Sequence, residues 1–163
     1  MKKMNWRLPT KEELNLMYKN LYKKEIGGFA AVFYWSSSEY SAHSGWGHYF
    51  SYGGQKYYFS KYGSLRVRAV RDFESEAELK IGERTTTGII FSREWDKYVE
   101  CAFEDLTIDG KEEFSWYEAL DYYKDDKEQV ERTSFSFFGC IVWGKNDKEE
   151  LSKRAETPHA RLP

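Results

Sequence analysis

Side chains that usually do chemistry are few and scattered in this sequence. Histidine occurs at His43, His48 and His159, and cysteine at Cys101 and Cys140. There is no CxxC pair, and the histidines do not stand at metal-ligand spacing from the cysteines. The two thiols read as small, semi-buried hydrophobes. A Cys101–Cys140 bridge is the alternative, and the lack of a signal-peptide pattern after Met1 argues against it. No Ser/His/Asp set, phosphate-binding glycine loop or paired-carboxylate motif stands out. The expectation is a protein that binds rather than catalyses, with no cofactor and no metal.

Binding chemistry is better represented. Aromatic residues make up 18% of the 163 positions, with 13 Tyr, 11 Phe and 6 Trp, too many for a disordered chain. Tyr40, His43, Tyr49, Tyr52, Tyr57 and Tyr62 fall in turns or on the strand face opposite Trp46. Facing solvent, such a set would make a recognition patch for a protein or a glycan. The competing reading is ordinary packing against loops.

Charge supplies a second candidate. Residues 1–72 carry a net charge of +7 and residues 73–163 one of −9. Asp121, Asp125, Asp126, Glu128 and Glu131 form an acidic helix end and loop, which could engage a basic protein. Opposed halves could equally attract each other within one fold. Tyrosines near Lys56 and Lys61 could stack bases and hold phosphates, but overall acidity works against nucleic acid. No stretch is long and apolar enough to cross a membrane, and the expected location is cytoplasmic or virion-associated.

The elements that must carry these residues are legible. Thr10-Lys11-Glu12-Glu13 is a capping box. Leu14, Met17, Tyr18 and Leu21 then recur at helical spacing, which predicts a helix near 10–22. Residues 29–71 read as β: a strand at Phe33–Trp35, alternation over Trp46–Tyr52, a Gly53-Gly54 turn, a return over Gln55–Phe59, and a half-buried strand over Leu65–Ala69 with Arg66 and Arg68 between the apolar positions. Trp35, Trp46 and Phe50 read as core, and the two arginines as partners of acids, with a place lining a ligand site as the alternative. Residues 74–78 are a charged connector. Thr87–Phe91 and Tyr98–Phe103 read as a strand pair, Ser115-Trp116-Tyr117-Glu118 as a second capping box opening a helix near 116–124, and Phe135–Trp143 as a further strand. Residues 145–163 read as a polar tail.

Three segments carry a resemblance: Asn5-Trp6-Arg7-Leu8-Pro9-Thr10-Lys11-Glu12-Glu13-Leu14, Tyr34-Trp35-Ser36-Ser37-Ser38-Glu39-Tyr40 and Val67-Arg68-Ala69-Val70-Arg71. In this order, over about 70 residues, they resemble the second half of the Lcl C-terminal domain family, the C-type-lectin-like domain of bacterial collagen-like adhesins. The first half of that family resembles Gly88-Ile89-Ile90-Phe91, the Tyr98–Asp105 strand and Ser115-Trp116-Tyr117-Glu118-Ala119, which here come second. The resemblance therefore implies an α+β, C-type-lectin-like domain over residues 1–144. Two helices would pack on one twisted, mostly antiparallel sheet, with the halves (5–73 and 81–124) in circularly permuted order. Exchange of halves between two chains, giving a homodimer, is the alternative. Tyr49 and Tyr52 stand where the family pattern has smaller polar residues. The calcium-binding motifs of sugar-binding lectins are absent, so calcium is not expected. The resemblance implies a non-catalytic, adhesin-like binding module, associated with a phage or bacterial surface. The acidic second half suggests the alternative of an intracellular, phage-encoded inhibitor or adaptor.

Overall fold

A computed structural model describes residues 5–123, apart from the side chain of Tyr57. All of the described residues belong to one compact unit. The expected strand at 135–143, the boundary at 144 and the polar tail lie outside them.

Helix α1 spans Lys11–Asn20 and begins as its sequence requires: Oγ1 of Thr10 accepts from the Glu13 amide, and the Glu13 carboxylate accepts from the Thr10 amide at 2.7 Å. Leu14, Met17 and Leu21 are buried along one face. A 3-10 turn, Tyr22–Lys24, follows. Strands β1 (Phe33–Glu39), β2 (Ser44–Tyr49) and β3 (Gly54–Ser60) form an antiparallel meander. Gly53, at φ +77°, makes the β2–β3 turn, and a Cβ there would lie 2.3 Å from the Tyr18 ring. Only glycine meets both demands.

A second antiparallel sheet holds β4 (Val70–Glu74), β6 (Lys97–Ala102) and β5 (Gly88–Glu94), in that spatial order. The expected single sheet is thus two three-stranded sheets. The connection lies in residues 65–69, expected as a half-buried strand. They make isolated contacts on both sides rather than a regular ladder. Arg66 bridges Tyr34 of β1, Leu65 bridges Phe114, Val70 bridges Arg7, and the amides of Leu106 and Ala102 donate to the carbonyls of Val67 and Ala69. Val67, Arg68 and Ala69 are consecutively buried, because chain covers this segment on both flanks and both faces. Arg66 keeps partial exposure while Arg68 does not, so alternation with apolar residues does not translate into one face turned to solvent.

Helix α2, Trp116–Tyr123, opens on the second capping box: the Glu118 carboxylate accepts from the Ser115 amide at 2.7 Å, and the Glu118 amide donates to Oγ of Ser115. β1 lies between two apolar clusters. Tyr34 faces one, with Leu14, Met17, Phe50, Val70, Ile89 and Phe91. Trp35 faces the other, with Leu8, Val67, Phe114, Trp116 and Ala119. Burial on both faces explains the unbroken Phe-Tyr-Trp run, since a strand with one wet face would alternate.

The two halves of the chain bond through specific polar contacts. Nε1 of Trp35 donates to the Phe114 carbonyl at 2.7 Å, and Nε1 of Trp116 donates to the Ser36 carbonyl at 2.9 Å. Within the first half, Arg7, 8% exposed, forks onto Glu13 at 2.6 and 2.7 Å and reaches Asp72 at 3.0 Å. Burial works against its charge, but the two carboxylates raise its pKa above the ordinary arginine value. Lys61, also buried, sends Nζ to Glu39 at 2.7 Å and lies 4.4 Å over the Trp116 ring.

Candidate functional site

The hairpin β2–β3 and the start of β1 carry a contiguous aromatic platform. Phe33 pairs across strands with Tyr49, and their rings stack at 4.3 Å. Tyr49 meets Tyr52 edge-on at 4.9 Å, Phe33 meets Phe59 at 4.7 Å, and Phe59 lies beside Tyr58 at 6.1 Å. The ammonium of Lys56 sits 5.3 Å over Phe33 and 5.9 Å over Tyr58. Tyr52 and Tyr58 are 61% and 62% exposed, while Phe33, Tyr49 and Phe59 are half-buried beneath them.

Two local features build this face. The pairing Gly45↔Phe59 and Gly47↔Lys56 places one extra residue in β3. This bulge brings Lys56 and Phe59, three positions apart, to the same side. Gly45 and Gly47 keep the strand surface open: a Cβ at Gly47 would lie 3.0 Å from the Phe59 ring, and one at Gly45 3.4 Å from Trp116 and Trp35.

The six residues expected to form a binding patch do not gather in one place. Tyr49 and Tyr52 belong to the platform, and Tyr57 falls on β3. Tyr40, His43 and Tyr62 lie at the opposite end of the hairpin, where the Lys61 amide donates to the His43 carbonyl at 3.0 Å. All three are exposed. Tyr40 meets the edge of Trp46 at 6.2 Å, and Tyr62 meets Tyr117 at 5.3 Å. The strand lengths separate the two ends. Trp35 and Phe50 are core, but Trp46 is only half-buried, with the Lys11 ammonium 4.3 Å over its ring. Sequence reading passed over Phe33, Lys56, Tyr58 and Phe59 as platform members. A bulge in β3 cannot be placed by alternation alone. It also passed over Trp95, whose indole is 87% exposed at the β5–β6 turn with φ +58°.

In the acidic alternative, Asp121 is exposed on α2, while Asp125, Asp126, Glu128 and Glu131 lie outside the described residues. So do Cys140 and His159. Cys101 is buried in β6, and burial pushes its thiol up to about 12. His48 is fully buried among Tyr18 and Phe50, and neither ring nitrogen has a hydrogen-bond partner among the described residues. Burial, and then the nearby Lys19 charge, lower its pKa to about 4. Among the described residues no group of three His, Cys, Asp or Glu side chains is placed to hold a metal ion. No described helix is long and apolar enough to cross a membrane.

Arg66 and Arg68 do pair with acids, and both share one carboxylate not singled out from the sequence. Asp105 accepts from Nε of Arg68 at 2.6 Å, from Arg66 at 3.3 Å and from the Tyr34 hydroxyl at 2.9 Å. Burial, and then Asp105, raise the Tyr34 pKa well above its usual range. Arg68 is 1% exposed and also donates to the carbonyls of Gly27, Ala102 and Phe103. Compared with protein-family models, curated proteins and solved structures, the chain finds no significant match.

Proposed function

We propose that this chain is a non-catalytic recognition module of C-type-lectin-like kind with its halves in permuted order, and that it holds a protein or glycan ligand on the β2–β3 aromatic platform. The observation that carries the reading is the platform itself. Five aromatic rings run in contact, and the two outermost are mostly solvent-facing tyrosines. Tyrosine offers rigid contact area that loses little side-chain entropy on binding. The platform rests on paired strands, so the rings are ordered before a ligand arrives.

Support for permuted halves comes from partners made within one chain. The motifs shared with the family's second half, around Tyr34-Trp35 and Arg68, find Phe114, Trp116 and Asp105 in the later segment, and β4 pairs with β6.

The test is a screen of the purified chain on an oligosaccharide array and a displayed-peptide library, alongside a Tyr52→Ala/Tyr58→Ala variant. The expected result is a ligand whose affinity falls at least about tenfold for each tyrosine removed, with the melting temperature unchanged. A ligand held equally by the variant would sink the proposal.

A further inference from the structure

Away from the platform, a cleft of about 520 Å³ opens where early and late parts of the chain meet. That volume suits a small molecule. Its lining includes Gly27, Gly28, Arg84 and Phe103, together with the largely buried Arg68–Asp105 ion pair. The charged lining is balanced: Arg66, Arg68 and Arg84 against Glu104, Asp105 and Glu112. The inner groups are engaged with one another. Arg68 is saturated by Asp105 and backbone carbonyls, and Arg66 joins Asp105 to Glu112 at 3.3 and 2.5 Å. Two charges remain open at the rim. The Arg84 guanidinium lies 4.3 Å over the Phe103 ring, and both it and Glu104 are exposed. Neither has an ion-pair partner among the described residues. An arginine held by its face on an aromatic ring keeps its N–H edge for a carboxylate, and Glu104 offers an acceptor for an ammonium.

We infer that this cleft binds a small zwitterion, a molecule carrying an ammonium and a carboxylate, such as an amino acid or a dipeptide. A simple anion fits less well, because the three carboxylates cancel the field of the three arginines. A simple cation fails for the converse reason. Only a ligand bearing both charges uses both open groups.

The experiment is isothermal titration of the full chain with the free amino acids and with glycylglycine. Parallel titrations use the N-acetylated and C-amidated dipeptides, acetate and inorganic phosphate. Binding by at least one zwitterion is expected. It should weaken tenfold or more when either end is blocked, and likewise in Arg84→Gln and Glu104→Gln. Both side chains are exposed, and matching melting curves will show that the variants fold. The Tyr52→Ala/Tyr58→Ala variant should titrate as the parent does. The inference is overturned by no binding across the panel, by acetate or phosphate binding as tightly as the zwitterions, or by unchanged affinity in both cleft variants.

Discussion

Asp105 ties three side chains of the first half to one carboxylate of the second. Its removal would leave the Arg68 guanidinium buried without its counter-charge, so Asp105→Ala should cost about 3–5 kcal/mol. Glu112→Ala removes only an exposed partner of Arg66, a kind of pair worth about 1 kcal/mol or less. Urea unfolding of both variants tests the contrast, and equal costs would refute it. His48 makes a pH prediction. Its pKa is near 6.5 when unfolded and about 4 when folded, so the folded state resists its protonation. Stability is therefore full above pH 6.5 and falls as the pH drops toward 4, by about 3 kcal/mol over that window. The His48 part of the slope should vanish in His48→Leu, and an unchanged slope would show that other groups cause it. At this scale the sequence was only partly legible. Acid partners for Arg66 and Arg68 were expected, but Asp105 stands 37 positions from Arg68, and no local pattern marks a contact of that span.

The helices and hairpins were legible because their signals are local. Both capping boxes form as their spacing requires, and Thr10→Ala should cost about 1 kcal/mol in thermal or urea unfolding. The segment 65–69 was misread because its surroundings are set by distant chain rather than by its own alternation. The platform was misread in part because the β3 bulge shifts the faces within one strand. Trp116→Phe probes how α2 is fastened. It keeps an aromatic ring, though a smaller one, and leaves the Ser36 carbonyl without its donor, at an expected cost of about 1–3 kcal/mol. If urea unfolding shows no loss, the indole N–H contributes nothing to holding α2.

Across the whole molecule, the halves depend on each other more than on the segment joining them. Residues 76–78 are exposed, and the segment is tied to the β5–β6 hairpin at its ends, by the Ser75 amide to the Asp96 carbonyl at 3.3 Å and the Leu79 amide to the Tyr98 hydroxyl at 3.2 Å. A protease site inserted between Glu76 and Ala77 should therefore be cleavable without separating the pieces, which should co-elute on size exclusion. Separate elution would show that covalent continuity, not packing, holds them together.

The reciprocal indole bonds of Trp35 and Trp116 also set an order of events on the ribosome. At about 5–20 residues per second, the stretch from Arg71 to Trp116 takes roughly 2–9 s to synthesise. Throughout that interval Trp35 and Arg68 have emerged before the residues that complete them. The nascent first half is then an unfinished surface of aromatic rings and unpaired arginines, and it can close only late. Nascent chains arrested near residue 110 should be digested readily by protease, and chains arrested well past residue 123 should resist. For this protein, codons that slow translation between those two points would lengthen the exposure without altering a single amino acid.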